Sequence, residues 1–432
     1  ITLSIVLLWI ISLSVYPVQN QENQEKKELT FQDIMRFREI HSPILSENGQ
    51  WLAYEAWPGE GDSMVYIHGV ENDKEYPVDR GKKPVISKNS KWTAVLIDPE
   101  SFGITESEKK KKKQGMILLN LDSNESRQYE RVKVFLFSDD SRWIAYQHFE
   151  EEKEPQKKEE KKPAEEQILA KKEQEKPAKS QLKLKSGSSL ILLNLETGEE
   201  IQIPSVLEFA FDKPSSYLAY TFAEESGEEN GLYYVSLGPE GWSKKSIHKI
   251  PKAEFSQLSW SHEGSKLAYL VGPLDEKLST PKCSLWTWDG ITSKLVQAVT
   301  QPAVPQGWFI PIKNKIEWSR DGERIFFGLK PDMFLEEKEP EKKDEETIQE
   351  AELYDIDKIL EKKEVDVWHW NDPFINSHQK KRWSQLKERT YEAVYHLASK
   401  KFVQLGDMEM TSIRRNENPD HVLGFSDVPY RK

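Results

Sequence analysis

Residues 44–54 read Ile-Leu-Ser-Glu-Asn-Gly-Gln-Trp-Leu-Ala-Tyr: an apolar strand, a polar turn that opens on serine, and a second strand of the form bulky-x-Ala-Tyr. Variants of this phrase recur at residues 85–94, 137–146, 211–220, 260–269 and 318–326, and a degraded seventh copy covers residues 416–423. A supersecondary unit repeated in this way sets the architecture of the whole chain.

The chemistry of the phrase predicts a β-hairpin. A serine or aspartate side chain can cap the backbone N–H two residues on, and Gly49, Gly264 or Gly322 can take the left-handed conformation that closes the turn. A second hairpin follows each copy, as residues 189–198 and 201–203 follow the third. Four short antiparallel strands per unit predict an all-β chain, a β-propeller of about seven blades whose last blade is incomplete.

The side chains of the second strand predict how the blades pack. A small alanine stands at one position in five copies and leaves room for blades to stack face to face. These residues are Ala53, Ala94, Ala145, Ala219 and Ala268. The aromatic residue two positions before most of these alanines is predicted to be buried. These residues are Trp51, Trp92, Trp143 and Tyr217.

Charged inserts explain the uneven spacing of the copies. The turns are separated by 41, 51, 74, 49, 58 and 97 residues, whereas an uninterrupted blade takes roughly 40–50. The excess is rich in Glu and Lys, which cannot bury enough apolar surface to offset the entropy of ordering. Disordered inserts are therefore predicted at about 150–180 and 336–364, with a short helix from Ile348 within the second.

The composition excludes several classes of function. The net charge is −12, from 61 basic and 73 acidic residues, and no basic stripe is interleaved with aromatics, so nucleic-acid binding is not expected. The single cysteine, Cys283, excludes a disulfide framework and a cysteine-based zinc site. No metal or cofactor is expected, and a single propeller is preferred to several domains.

The amino-terminal residues predict export. Residues 1–18 are almost entirely apolar and residues 19–28 form a polar linker, which indicates a signal peptide or a membrane anchor. A buried core helix is the alternative. The protein is therefore expected to be exported, either free in the periplasm or anchored to the membrane and facing the periplasmic or extracellular side. Because the first residue is Ile1 and the seventh unit lacks partner strands, further sequence is expected on both sides.

No catalytic motif is recognisable in the sequence. It has no Gly-x-Ser-x-Gly elbow, phosphate loop or His-Glu-x-x-His motif, and no catalytic residue is assigned. His262 lies in a turn and His369 between two tryptophans on a predicted strand. Glu150 and Glu151 are the candidate substrate-binding pair, because adjacent carboxylates can bind the amino terminus of a peptide. The alternative is that they begin the charged insert.

Three segments resemble a known family. Residues 29–54, 365–373 and 391–397 are similar to parts of the amino-terminal propeller in exported serine peptidases of the prolyl-oligopeptidase family. The likeness spans about residues 29–432 and includes an amino-terminal helix at about 30–40. The turn motif alone is shared with TolB-like propellers.

The resemblance implies a two-domain enzyme that hydrolyses short peptides. In that family a carboxy-terminal α/β-hydrolase domain carries a Ser-Asp-His triad, and the propeller restricts access to it. The hydrolase domain is absent from these 432 residues, so the peptide substrate would be cleaved by a domain outside them. Glu150 and Glu151 match the amino-terminus clamp of the family only loosely. The alternative function is a stand-alone TolB-like propeller that acts as a protein-binding scaffold.

Overall fold

The computed structural model describes residues 28–100, 112–150, 185–238, 241–275, 278, 280–335, 369, 375–416, 418 and 420–430. The described part is mostly antiparallel β-sheet, which confirms the predicted fold class. Its strands form six successive four-stranded units, called blades 1–6 here, and a short hairpin follows the sixth. No strand of the described ranges pairs blade 1 with that last hairpin.

The first three blades have these bounds. Blade 1 consists of β1 (Arg38–Leu45), β2 (Trp51–Pro58), β3 (Met64–Gly69) and β4 (Glu75–Asp79). Blade 2 consists of β5 (Gly81–Ile86), β6 (Trp92–Ile97), β7 (Gly115–Asn120) and β8 (Ser126–Tyr129). Blade 3 consists of β9 (Val132–Phe137), β10 (Trp143–His148), β11 (Ser188–Asn194) and the first half of β12 (Glu200–Phe211).

The next three blades follow without a break in the pattern. Blade 4 consists of the second half of β12, β13 (Tyr217–Phe222), β14 (Gly231–Gly238) and β15 (Gly241–Lys249). Blade 5 consists of β16 (Ala253–Trp260), β17 (Lys266–Pro273), β18 (Lys282–Asp289) and β19 (Lys294–Val299). Blade 6 consists of a split first strand, β20 (Trp308–Pro311) and β21 (Glu317–Trp318), then β22 (Arg324–Pro331), β23 (Tyr391–His396) and β24 (Lys401–Gln404). The last hairpin is β25 (Ser412–Arg414) and β26 (Leu423–Phe425).

The described residues include two α-helices beside these strands. Helix α1 (Phe31–Met35) begins with a capping box, in which the Thr30 hydroxyl accepts the Asp33 N–H at 3.2 Å. A helix was predicted at about 30–40, and the observed helix is shorter. It ends at Met35 because Arg38–Leu45 pairs with β2 as a strand. Helix α2 (Asn376–Glu388) precedes β23. In the part of the chain that the structure describes, 3₁₀ turns lie at Gln301–Ala303, Asp332–Phe334 and Val428–Tyr430.

Each repeated turn is held by its first side chain. The Ser46 hydroxyl accepts the Trp51 N–H at 2.9 Å, and the equivalent serines of blades 2, 3, 5 and 6 do the same. The side chain therefore bonds the residue five positions on, not two as the sequence suggested. The bond two positions apart comes instead from Asn48, which accepts the Gln50 N–H at 3.0 Å. In blade 4 the carboxylate of Asp212 replaces the serine and accepts the Tyr217 N–H at 2.7 Å.

The hydrophobic core is divided among the five interfaces between successive blades. Five clusters of buried residues each combine side chains from two neighbouring blades. The five alanines of the repeat are all fully buried in these clusters, as predicted. Trp51 and Trp143 are buried, whereas Trp92 and Tyr217 are half-buried at the edges of their interfaces. The predicted register of the hairpins is therefore correct.

A serine hydroxyl at the fourth position of the repeated turn links each of blades 2, 3 and 4 to the blade before it. Ser90, Ser141 and Ser215 have φ values of 59°, 60° and 59°, in the left-handed region that Gly49, Gly264 and Gly322 occupy in the other turns. Each serine accepts a backbone N–H from the preceding turn, at 3.3, 3.0 and 3.0 Å respectively. The serine at this position is therefore an inter-blade latch as well as a turn residue.

The latch changes between blades 4 and 5. The residue that would donate there is Pro214, which has no N–H. In blade 5 the position of the latch serine is taken by Gly264, where a Cβ would lie 2.2 Å from the Cδ atom of Pro214. The indole N–H groups of Trp260 and Trp318 instead donate to carbonyls of the preceding blade, at 3.2 and 2.8 Å.

Arg415 contributes several contacts that attach the last hairpin to blade 6. The guanidinium of Arg415 lies 4.6 Å from the centre of the Phe326 ring, contacts the carboxylate of Glu317, and has its Nε atom 2.7 Å from Glu392. Burial raises the pKa of the Glu392 carboxyl, and Arg415 opposes that rise. The residues that make these contacts line a cavity of about 170 Å³.

Replacing Arg415 with methionine should release this hairpin. The change leaves Glu317 and Glu392 close together without their shared cation, so we expect a loss of about 1–2 kcal/mol. Hydrogen exchange of residues 412–425 should accelerate at least tenfold. Lys315→Met is the control, because the Lys315 side chain is 83 % exposed and its pair with Glu317 should contribute little. Equal exchange in both variants would contradict this account.

Several predictions fall outside the described residues. They are the segment 1–18, the greater part of both predicted inserts, the helix from Ile348, and the two tryptophans that flank His369. His369 itself is exposed and belongs to no helix or strand. Within the described ranges, no helix has the length and apolar character needed to cross a membrane.

Candidate functional site

Glu150, the first member of the predicted pair, lies at the exit of β10. It is exposed, and its backbone oxygen accepts a hydrogen bond of 2.9 Å from the Arg131 guanidinium. Among the described residues, no hydrogen bond or ion pair reaches its carboxylate. Glu151 falls outside the described ranges. The structure therefore places Glu150 beside an arginine that the sequence analysis did not single out.

Arg131 has a counterpart one blade earlier. Arg80 and Arg131 immediately precede the first strands of blades 2 and 3, with φ values of 57° and 56°. The carbonyl of Arg80 accepts the Asp98 N–H and that of Arg131 accepts the Phe149 N–H, both at 2.9 Å. Ser205 and Lys252 adopt the same conformation in blades 4 and 5. Because it recurs in four blades, this conformation belongs to the architecture.

The two arginines line adjoining cavities. One cavity of about 400 Å³ reaches from Arg80 to Arg131. A second, of about 510 Å³, reaches from Arg80 to Arg38 in blade 1. The cavities share Arg80 and Glu100, and together they are called the entry groove. Its other charged lining residues are Asp62, Asp79, Asp98, Lys112, Lys113 and Glu130.

Cations and carboxylates both line the entry groove. Lys82 forms an ion pair with Asp98, and the Lys112 ammonium lies 3.9 Å from Glu100. The Arg38 guanidinium donates to the sulfur of Met64 at 3.2 Å and to the hydroxyl of Tyr66 at 3.4 Å. Such a surface can bind a ligand that carries both signs of charge, as a short peptide does.

Arg80 is the cation best placed to receive an anion. Its side chain is half-buried where the two cavities meet. Within the described part of the chain, no hydrogen bond or ion pair engages its guanidinium. A guanidinium offers five donors in a planar fork that matches the two oxygens of a carboxylate. The arrangement can therefore bind a carboxylate in a bidentate manner.

The site offers no metal-binding or nucleophilic centre in the described ranges. No group of three or more histidine, cysteine, aspartate or glutamate side chains there could hold a metal ion. Cys283 is fully buried, and burial raises the pKa of its thiol well above the usual range, so the thiolate is disfavoured. Burial also lowers the pKa of His248, whose ring contacts Trp286 at 4.3 Å between centroids.

A sequence signal for these arginines is present in the repeats. An acidic residue followed by arginine stands directly before the first strand in two successive blades, as Asp79-Arg80 and Glu130-Arg131. Aligning the repeats at their turns brings the two pairs into register. By contrast, no repeat position links Arg38 to these residues.

Comparison with known proteins gives matches in structure alone. No model of a known protein family matches the sequence, and no curated protein matches it significantly. The β-propeller domain of the Trilobed protease from Pyrococcus furiosus is 11 % identical, with 89 % of this chain and 88 % of that chain covered and a TM-score of 0.37. A candidate TolB from Agrobacterium tumefaciens is 12 % identical, with 60 % and 80 % covered and a TM-score of 0.29.

A longer peptidase is also similar. Prolyl oligopeptidase B from Galerina marginata is 10 % identical, with 91 % of this chain covered and a TM-score of 0.43. The chain spans 48 % of the length of that protein. The assignment of a propeller domain to this chain rests on the blades, turns and interfaces described above.

Proposed function

We propose that this chain is the substrate-gating propeller of an exported serine peptidase that acts on short peptides. The sequence resemblance at residues 29–54 supports the proposal, since these residues form helix α1, strand β1 and the first repeated turn. The hydrolytic centre would belong to a domain outside the 432 residues.

The half-buried Arg80 in the entry groove is the observation that carries the proposal. A gate selects substrates by what its surface binds, and Arg80 is suited to the terminal carboxylate of a short peptide. Glu150, beside Arg131, is a candidate partner for the amino terminus of such a peptide. The carboxylate and the ammonium group of the peptide would then both be bound between blades 2 and 3.

Binding of dipeptides and tripeptides to the purified chain tests this role. Peptides with a free carboxylate should bind at least tenfold tighter than the same peptides as carboxy-terminal amides, because only the carboxylate pairs with Arg80. Arg80→Gln should remove that difference. Lys91→Gln is the matched control, because Lys91 is an exposed cation in a blade turn away from the groove. A preference for free carboxylates that survives Arg80→Gln would contradict the assignment of Arg80.

Gating is tested on the protein expressed with its downstream coding sequence. A series of fluorogenic peptides of increasing length should show falling kcat/KM, and the same cleavage sequence within a folded domain should be resistant. Hydrolysis of the folded substrate at the rate of the free peptide would contradict gating.

The alternative function, a TolB-like binding scaffold, has one observation in its favour. The 432 residues hold no nucleophile elbow, and a propeller needs no nucleophile to bind a protein across its face. An intact, folded downstream product without peptidase activity would favour this alternative.

A further inference from the structure

Lys244 is exposed, yet its ammonium lies over aromatic rings. It lies on β15, the outermost strand of blade 4, where a lysine would normally extend its ammonium into solvent. Instead its Nζ atom lies 5.6, 5.7 and 5.4 Å from the ring centres of Tyr220, Phe222 and Tyr233. Among the described residues, no carboxylate or other hydrogen-bond acceptor holds this ammonium.

The three rings form a preorganised cage. Tyr220 and Tyr233 stand directly opposite each other on β13 and β14, and their rings stack with centroids 5.7 Å apart. Phe222 shares their face of the sheet because side chains alternate along a strand, and its ring meets Tyr233 at 66°. Each ring lies within about 6 Å of the cation, the range in which a ring quadrupole attracts it.

The cage also contains an unsatisfied polar atom. Tyr220 is fully buried, and its hydroxyl has no hydrogen-bond partner among the described residues. A buried hydroxyl without a partner costs about 1–3 kcal/mol.

Holding the Lys244 ammonium over the rings costs free energy. Burial lowers the pKa of the Lys244 ammonium, and the nearby charge of Lys249 lowers it further. Lys249 lies 5.4 Å from the Tyr233 ring, at the rim of the cage, and Glu229 holds it at 2.6 Å. The charge of Lys249 at the rim is therefore largely neutralised by Glu229, whereas Lys244 has no counter-ion among the described residues.

We propose that Tyr220, Phe222 and Tyr233 form a binding site for an external alkylammonium group, and that Lys244 is an internal occupant which such a ligand displaces. A lysyl side chain and the amino terminus of a peptide share this chemistry. The proposal does not depend on the peptidase function, since the cage belongs to blade 4 and the entry groove to blades 1–3.

Two variants at Lys244 test the site with n-butylammonium as the probe. Lys244→Ala empties the cage, and Lys244→Met keeps it filled with an uncharged chain of similar length. Ligand-observed NMR should show that Lys244→Ala binds n-butylammonium about tenfold more tightly than Lys244→Met or the unchanged protein. Neutral n-butanol should gain no comparable affinity. Adding Tyr233→Leu to Lys244→Ala should abolish the gain.

Two further measurements complete the test. Nα-acetyl-lysine amide and glycinamide separate a preference for the lysyl side chain from one for an amino terminus. In the unchanged protein, saturating tetramethylammonium should increase acylation of Lys244 severalfold, as measured by mass spectrometry, because displacement releases its amine from the three rings. Equal binding by the alanine and methionine variants, equal gains for butanol, or unchanged Lys244 acylation would each overturn the proposal.

Discussion

Gly264→Ser should destabilise the protein by about 3 kcal/mol, whereas Gly322→Ser should cost only about 1 kcal/mol. Both glycines have positive φ values, 76° and 68°, so the backbone strain is similar. They differ in what an added Cβ would meet. At Gly264 it would lie 2.2 Å from Pro214, whereas at Gly322 nothing lies within 4 Å. Urea denaturation of both variants measures the difference.

A second substitution should rescue the first. Pro214→Asn removes the ring that blocks Gly264→Ser and restores a backbone N–H, so the introduced hydroxyl can accept it as Ser141 accepts that of Asn89. The double variant should recover at least about 2 kcal/mol relative to the sum of the single changes. Additive losses would mean that the latch seen in the first four blades cannot be transferred to the fifth.

Asp212→Ser should stabilise the protein by about 2 kcal/mol at neutral pH. Asp212 is 2 % exposed, and burial, with a smaller contribution from Asp140, raises the pKa of its carboxyl from 3.8 to about 6. The folded state therefore binds a proton more tightly than the unfolded chain. The protonated Asp212 carboxyl therefore contributes stability to the fold that is fully present below about pH 4. This contribution is lost as the pH rises through about 6.

The measurement is the pH dependence of the free energy of unfolding. The gain from Asp212→Ser should be present above about pH 6.5 and should disappear near pH 4, since each pKa unit corresponds to about 1.4 kcal/mol. Serine can accept the Tyr217 N–H as serines do in the five other turns. Asp139→Ser, in the turn of blade 3, is the control. A gain that is independent of pH would show that Asp212 is not protonated in the fold.

The blades could be predicted from the sequence because their determinants are local. A turn, its anchoring serine and the alternating strands that flank it lie within about ten residues, as at Ser46–Tyr54, so the pattern is visible without a tertiary structure. The alanines are buried as expected because a strand exposes the same face at every second residue. The amino-terminal helix was predicted too long because β1 competes with it, and that pairing depends on β2.

The candidate site was less predictable because its contacts are distant in sequence. Glu150 could be located by its position after a strand, but its neighbour Arg131 is 19 residues away. The cage around Lys244 depends on the register of three strands, and the partner of Ser90 is Asn48, 42 residues earlier. Hydrogen bonds between blades are set by how the sheets stack, which no single repeat encodes.

Fluorophosphonate labelling followed by intact-mass measurement tests the proposed function most directly. The chain of 432 residues should gain no adduct, because no activated serine in its sequence has the context of an acyl-transfer site. The protein extended by its downstream coding sequence should gain one adduct on a serine beyond residue 432. An adduct on a serine within the 432 residues would contradict the account, as would an intact, folded extension that gains none.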